Sequence, residues 1–199
     1  MRSAWRALPL LLLVLANPAG AVRRRSDPLP RVAIRTSEGT IVVALETKRA
    51  PITAANFLHY VDAHRFDGTT FYRAARAQSN PRRGLIQGGV DHDMPKTFFA
   101  IKHEPTTLTG LRHVDGTLSM ARNDPGTAMG DFFITIGPAQ GLDAAPGYPG
   151  YAAFGHVVSG MDVAKRILAK PTWPGGYSFD TMGQSIRKPV TIITAKRAN

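Results

Sequence analysis

The sequence contains no cysteine among its 199 residues. This absence excludes disulfide bonds, thiol catalysis and every zinc site that uses cysteine ligands. The motifs H-E-x-x-H, G-x-S-x-G and the phosphate-binding P-loop are missing as well, so the usual signatures of zinc proteases, α/β-hydrolases and P-loop nucleotide hydrolases are not found. No apolar run approaches the ~20 residues of a membrane-spanning helix. We expect a globular protein without a metal site or cofactor.

The first 21 residues have the pattern of a signal peptide. Arg2 and Arg6 give a positive start, Leu8–Ala16 is apolar apart from one proline, and Ala19-Gly20-Ala21 offers small residues for a signal peptidase. We predict cleavage after Ala21, which would leave an exported, soluble mature protein.

Basic residues outnumber acidic ones by 25 to 14, which gives a formal net charge of +11. Such an excess attracts nucleic acid or acidic lipid headgroups. The densest basic cluster, Arg23-Arg24-Arg25, falls in residues 22–31, which we predict to be a flexible linker. The other basic residues are scattered and no nucleic-acid motif accompanies them, so we expect no nucleic-acid partner. A protein that binds anionic surfaces is an alternative that the charge leaves open.

Residues 32–199 are predicted to form one domain made mainly of β-strands. Residues typical of strands cluster in short segments at Val32–Thr36, Thr40–Leu45, Thr69–Tyr72, Leu118–Ala121, Phe132–Ile136, Ala153–Val158 and Val190–Ala195. Helical patterns occur at Pro51–His64 and Met161–Leu168. Several strands with two separated helices predict a closed antiparallel barrel whose ends are plugged by helices.

Candidate nucleophiles and metal ligands are few. The tripeptide Asp91-His92-Asp93 contains metal-binding side chains, but one loop tripeptide lacks the further ligands of a closed site, and a solvated loop is the favoured interpretation. Ser119 has no activating base near it in the sequence, so a core position is favoured. A triad assembled in space stays open.

Arg73 and a pair of phenylalanines suggest a binding groove. Arg73 follows two aromatic residues at a strand end, where its guanidinium can project into a groove, although a surface ion pair explains it equally well. Phe132 and Phe133 are adjacent in a strand, so one ring should lie in the core and the other outside. Beside Leu85, Gln87 and Arg73, the outer ring would form an apolar pocket with polar edges.

Five short segments resemble the motifs of the cyclophilins, in the same order and at approximately the same spacing. They are Phe71-Tyr72-Arg73, Gln87-Gly88-Gly89, Gly116-Thr117-Leu118-Ser119-Met120-Ala121, Asp131-Phe132-Phe133-Ile134 and Tyr151-Ala152-Ala153-Phe154-Gly155. The likeness extends from about Val32 to Arg197. It implies a closed eight-stranded antiparallel β-barrel capped by two α-helices, and peptidyl-prolyl cis-trans isomerase activity on proline-containing unfolded or partly folded polypeptides. It implies no cofactor.

The resemblance also assigns roles to individual residues. It implies that Arg73 is the catalytic arginine, that Gln87 hydrogen-bonds the substrate backbone and that Phe133 is the floor of the proline pocket. Further positions with an implied substrate contact are Phe71, Leu85, Ala121, Arg122, Leu142 and Tyr151. Tyr151, where many eukaryotic members have histidine, together with the export leader, resembles the bacterial periplasmic branch. We therefore expect a periplasmic protein, and a monomer, since nothing in the sequence demands a dimer.

Three features depart from the cyclophilin pattern. The loop 74–84 is lengthened and ends at Gly84, where a pocket aromatic is usual, so we expect poorer closure of the pocket. Asp131 stands where glutamine is common, and we expect its carboxylate to lie near the groove, within reach of Arg73. Gly141 replaces the tryptophan associated with cyclosporin binding, which predicts weak cyclosporin sensitivity. These departures leave open a low-activity cyclophilin-like module that binds peptides or acts as a chaperone.

Overall fold

The structure, a computed structural model, describes residues 29–91, 93–176 and 178–198. The predicted signal peptide and most of the predicted linker lie outside the described residues, as does His92. Among the residues described, no helix has the length and apolar character needed to cross a membrane.

Within these residues, nine strands form one sheet. They are β1 (Arg31–Thr36), β2 (Gly39–Leu45), β3 (Thr70–Ala77), β4 (Asn80–Gly89), β5 (Thr117–Met120), β6 (Phe132–Ile136), β7 (Ala153–Ser159), β8 (Thr172–Trp173) and β9 (Ser185–Ala198). Eight of them follow the order β1-β2-β7-β5-β6-β4-β3-β9, and β9 pairs with β1, so the antiparallel sheet closes into a barrel. The further strand, β8, pairs with β9.

Two helices, α1 (Pro51–Asp62) and α3 (Met161–Leu168), pack their apolar sides against the barrel core, and a single helical turn, α2 (Thr106–Thr109), lies between them in the chain. The N-terminus of α1 is held by the buried carboxylate of Glu104. It accepts hydrogen bonds from the backbone N–H of Thr53 (2.8 Å) and from its hydroxyl (2.6 Å). A carboxylate at this end satisfies N–H groups that lack a partner within the helix and complements the helix dipole.

Aromatic rings fill the barrel interior. Phe57 of α1 lies 5.1–5.3 Å, between ring centroids, from Phe66, Phe132 and Phe154. Phe132 is 1% exposed and belongs to this core, whereas its neighbour Phe133 points to the opposite face of β6. The prediction that the two rings diverge is confirmed. Because side chains fill the interior, a binding site has to lie outside the barrel.

The structure confirms the closed barrel, the seven predicted strands and both predicted helices. Strands β4 and β8 were not predicted, and the prediction of a loop over residues 74–84 is wrong. Residues 74–77 continue β3 and residues 80–84 begin β4, so this segment is a β-hairpin. Its second arm begins Asn80-Pro81-Arg82-Arg83-Gly84, which has low β-propensity. Asn80 pairs with Ala77 and Gly84 with Arg76, so the three residues between them form a bulge in the hairpin.

Candidate active site

Three of the predicted site residues occupy one row across the sheet. Arg73 on β3 is the cross-strand partner of Gln87 on β4, and Gln87 is the partner of Phe133 on β6. Side chains of directly paired residues lie on the same face of a sheet. Since Phe132 fills the interior, this row lies on the outer face of the barrel.

A β-bulge in β3 directs Arg73 outward. Phe71 pairs with Gly88 and Arg73 with Gln87, so Tyr72 is the extra residue on this strand. Without the bulge, Phe71 and Arg73 would share a face, because side chains alternate with a period of two. Phe71 instead points inward, fully buried, with its ring 5.7 Å from that of Phe132. The structure therefore corrects the expectation that Phe71 contacts the substrate, since its ring is part of the core.

The guanidinium of Arg73 is held by two carboxamides. Its Nη1 donates to Gln87 Oε1 at 2.7 Å, and its Nε donates to Gln184 Oε1 at 2.8 Å. These two bonds use two of the five N–H donors of the group. Partial burial lowers the pKa of Arg73, while Tyr72 and Tyr151 act in the opposite direction, and arginine keeps its proton in such surroundings. The group is thus a fixed cationic donor.

Gln87 joins Arg73 to a second polar side chain. Its Nε2 donates to the hydroxyl of Tyr72 at 2.7 Å, and that hydroxyl is hydrogen-bonded to the carboxylate of Asp131. The Asp131 Oδ1 atom also accepts the backbone N–H of Asp91 at 2.9 Å. Burial, then the charges of Asp131 and Asp91, raise the pKa of Tyr72, so its hydroxyl stays protonated. We expected Asp131 to lie within reach of Arg73. The structure connects the two residues through the hydroxyl of Tyr72 and the carboxamide of Gln87.

Phe133 is enclosed by two flat side chains. Its ring lies 5.9 Å from the imidazole of His113, nearly parallel at 16°, and 5.5 Å from Tyr151, edge to face at 86°. The residue is 3% exposed. Rings held on two sides in this way cannot turn freely, which suits the floor of a pocket.

The other predicted contact residues border the same row. The backbone N–H of Tyr151 donates to the carbonyl of Leu142 at 2.9 Å, so these two residues are adjacent. The Arg122 guanidinium lies 4.7 Å above the Tyr151 ring and donates to the carbonyl of Gly150. Leu85 precedes Gln87 by two positions on β4, and the backbone N–H of Ala121 donates to the carbonyl of Asp131. The structure thus joins Leu142, Tyr151 and Arg122 through direct contacts beside Phe133, and the role of these residues in substrate binding stays a prediction.

Gly84 and Gly141 differ in the space around them. Gly84 has φ +143°, and a Cβ built there would lie 2.0 Å from the carbonyl oxygen of Ala75, so no side chain fits. A Cβ at Gly141 would meet no atom within 4 Å, so this position is open. Neither residue supplies an apolar side chain to the pocket.

Sequence reasoning missed three residues that support the row, namely Tyr72, Gln184 and His113. Tyr72 directly precedes Arg73, and Gln184 is 111 positions away from Arg73 along the chain. His113 is an isolated histidine that is fully buried beneath the groove. Tyr72 and Ser119, the partner of His113, lie within the motifs named above, but nothing in the sequence indicates the hydrogen bonds that they make.

Metal ligands do not cluster in the described part of the chain. No group of three or more histidine and carboxylate side chains there could hold an ion. His92 of the tripeptide Asp91-His92-Asp93 lies outside the described residues.

Comparison with known proteins gives a consistent result. The profile of a family described as cyclophilin type peptidyl-prolyl cis-trans isomerase matches residues 31–197. The chain is similar to a peptidyl-prolyl cis-trans isomerase of Acinetobacter baylyi, with 35% identity over 167 residues that cover 83% of this chain and 84% of the relative. It is also similar to peptidyl-prolyl cis-trans isomerase A of Dickeya dadantii, with 34% identity over 194 residues and 96% of each chain covered.

The fold has a counterpart among solved structures. It is similar to the crystal structure of a cyclophilin type peptidyl-prolyl cis-trans isomerase from Cryptosporidium parvum, determined in the presence of an alanine-proline dipeptide. The TM-score is 0.68 at 20% identity, and the match covers 85% of this chain and 99% of the other. At this identity the likeness concerns the fold alone.

Proposed function

The chain belongs to the cyclophilin-type peptidyl-prolyl cis-trans isomerases, and from this premise we propose that it accelerates rotation about X-Pro bonds while exported proteins fold. The observation that carries the proposal is the row of Arg73, Gln87 and Phe133 on the outer face of the barrel. It places a cation, a carboxamide and an aromatic ring side by side. The substrates are proline-containing polypeptides that are unfolded or partly folded.

The barrier to rotation comes from amide resonance and amounts to ~18–20 kcal/mol. As the bond twists, the prolyl nitrogen loses its conjugation and recovers a lone pair. A donor aimed at this nitrogen stabilises the twisted state more than the planar one, which lowers the barrier. Arg73 is such a donor, since its guanidinium is fixed by two carboxamides and acts without losing a proton.

Gln87 has two tasks in this scheme. Its carbonyl oxygen fixes the direction of the Arg73 guanidinium. Its amide nitrogen has two N–H groups, of which one is used by the Tyr72 hydroxyl and the other can donate to a carbonyl of the peptide. The peptide is thereby held next to the group that acts on its nitrogen.

Phe133 supplies the surface on which the proline ring rests. The floor is apolar, and Leu142 and Tyr151, both half-buried, form its sides. A pocket of this kind holds the proline ring in place while the preceding carbonyl swings.

The test compares isomerisation of a proline-containing peptide by the mature chain and by Arg73→Ala. We expect kcat/KM to fall about 10²- to 10³-fold, the usual effect of removing one donor to a developing charge or lone pair. Arg82→Ala is the matched control, because Arg82 is an exposed arginine on the same hairpin. Equal rates for Arg73→Ala and the wild type would remove Arg73 from the mechanism.

The proposal that the protein acts after export, in the periplasm, rests on the leader sequence. We expect the protein from the periplasmic fraction to begin at Val22, as measured by intact mass. Leu12→Arg places a charge in the apolar run and should retain the uncleaved precursor, whereas Leu12→Ile should be processed normally. A periplasmic or cytosolic protein that still begins at Met1 contradicts this part of the proposal.

A second candidate is a low-activity module that binds peptides or acts as a chaperone. Gly84 and Gly141 favour it, because neither contributes a side chain to the rim of the pocket. In this case the wild type should bind a proline peptide without accelerating its isomerisation, and Arg73→Ala should suppress aggregation of an unfolded client as well as the wild type does. We expect either activity to reside in a monomer, which gel filtration with light scattering can check.

A further inference from the structure

Beneath the groove, three polar side chains form one buried hydrogen-bonded chain. The Nδ1 atom of His113 lies 2.7 Å from Asp143 Oδ1, and its Nε2 atom lies 2.9 Å from the hydroxyl of Ser119. His113 and Ser119 are 0% exposed, and the side chain of Asp143 is 10% exposed. A histidine and a serine six positions apart are thus joined to an aspartate 30 positions from the histidine.

The two hydrogen-bond partners of His113, Asp143 and Ser119, determine which ring nitrogen carries the proton. A carboxylate accepts hydrogen bonds, so Nδ1 carries the proton and Nε2 accepts the proton of the Ser119 hydroxyl. Burial lowers the pKa of His113, while the hydrogen bond and charge of Asp143 act in the opposite direction, which favours the neutral imidazole. The imidazole is therefore fixed at both nitrogens.

Each member of this chain is joined to a part of the groove. The His113 ring stacks on Phe133. Ser119, on β5, is the cross-strand partner of Phe133, on β6. Asp143 directly follows Leu142, and its Oδ1 also accepts the backbone N–H of His113 at 2.9 Å. These three hydrogen-bonded side chains therefore connect Phe133, the floor of the groove, to the segment at Leu142 that forms its side.

We propose that His113 is a positioning residue for proline binding, which holds Phe133 and Leu142 in register through Ser119 and Asp143. This proposal rests on the proposed function, since it concerns the same groove. His113 touches no peptide, because it lies fully buried behind Phe133. Its effect reaches the substrate through the ring of Phe133 and the backbone beside Leu142.

This role predicts a particular kinetic effect. The floor contacts the proline ring in the planar and in the twisted state alike, so loosening it weakens both states and raises KM. Arg73 and Gln87 are held by separate hydrogen bonds, so kcat should persist. A general loss of folding has the opposite effect, because fewer active molecules lower the apparent kcat and leave KM unchanged.

A histidine that is hydrogen-bonded to a serine on one side and to an aspartate on the other is also the arrangement of a hydrolytic triad. Here the Ser119 hydroxyl is 0% exposed and lies on β5 beside the ring of Phe133, so no substrate reaches it. A fluorophosphonate reagent, which reacts with activated serines, therefore should not label the protein. Labelling of Ser119 that depends on His113 would overturn the positioning role.

The experiment measures kcat and KM separately for an Ala-Pro peptide with wild type, His113→Asn and Ser119→Ala. Ser119→Ala is included because it removes the hydrogen bond to His113 Nε2 and leaves both hydrogen bonds between residue 113 and Asp143 in place. The matched control is His64→Asn, which breaks another histidine–aspartate contact, that of His64 with Asp67 at 3.1 Å, on the exposed surface. Asparagine also tolerates the positive φ of 54° at this position.

We expect KM about 3- to 10-fold higher in both groove variants, the size of one lost neutral hydrogen bond, with kcat within about twofold of wild type and the control unchanged. Unchanged KM, with kcat reduced only in proportion to the folded fraction, would overturn the proposal. If the wild type shows no isomerase activity, the proposed function fails. The positioning role is then tested by the dissociation constant of the same peptide, which should be about 3- to 10-fold higher in the two groove variants than in the wild type.

Discussion

Replacing Gln87 by leucine removes the side chain that lies between Arg73 and Tyr72 while keeping a side chain of similar size. The variant loses the 2.7 Å hydrogen bond from Arg73 Nη1 and the 2.7 Å bond to the Tyr72 hydroxyl. Arg73 keeps its 2.8 Å bond to Gln184, and Tyr72 keeps its bond to Asp131. The change therefore loosens the guanidinium without removing it.

The magnitude follows from the kind of bond that is lost. A hydrogen bond to a charged group contributes about 1.5–3 kcal/mol, and each 1.36 kcal/mol in barrier height is a factor of ten in rate, so the upper range is about 10- to 150-fold. Because Gln184 still holds the Nε side of Arg73, we expect the lower end, about a tenfold fall in kcat/KM. The part of the loss that comes from the loosened Arg73 should appear in kcat, since the direction of the donor matters most in the twisted state, and the lost hydrogen bond from the Gln87 amide to the peptide should raise KM.

The assay is isomerisation of a proline peptide, followed by exchange spectroscopy, with thermal unfolding as a check on folding. Gln78→Leu is the matched control, because Gln78 is exposed in the turn between β3 and β4. A Gln87→Leu variant that stays within twofold of the wild-type kcat/KM, or a Gln78→Leu variant that loses as much, would refute the reasoning that Gln87 directs Arg73.

Three further outcomes can be checked with the same protein. Tyr72→Phe should lower kcat/KM about 2- to 10-fold, because the Gln87 amide loses one neutral acceptor. Gly141→Trp should increase inhibition by cyclosporin, which we expect to be weak in the wild type, because position 141 has open space for a side chain. As pH falls below about 6.5, the unfolded chain binds a proton at His113 before the folded chain does, so urea titrations should show a loss of stability that His113→Asn makes smaller.

The parts of the fold that local patterns determine were predictable from the sequence. Two β-rich segments flanking Glu38-Gly39 predict the β1–β2 hairpin, and Pro51 followed by spaced apolar residues predicts α1. The row of Arg73, Gln87 and Phe133 was anticipated through motif order, and the pairing of β3, β4 and β6 places these residues side by side. Local preference and tertiary pairing agree in these places.

The supporting residues were not predictable, because their partners are set by the closure of the barrel. Ser119 and His113 are six positions apart, but Asp143 is 30 positions from His113, and no period relates them. Likewise, β4 begins with residues that disfavour a strand, and this stretch is held at its two ends, by the pair of Asn80 with Ala77 and by the pairs of Gly84 with β3 and β6. Chemical type therefore identifies the residues that face a ligand, whereas the contacts that hold them depend on the assembled sheet.

The bulge at Tyr72 shows why the last step from motif to site needs coordinates. Strict alternation along β3 would place Arg73 on the same face as Phe71, inside the barrel, where a guanidinium without a partner is costly to bury. One extra residue sends Arg73 outward and also lets the Tyr72 hydroxyl reach Gln87, so two adjacent side chains bind the same carboxamide. The aromatic residues before Arg73 thus have separate roles, since Phe71 anchors the strand in the core and Tyr72 orients the amide that directs the cation.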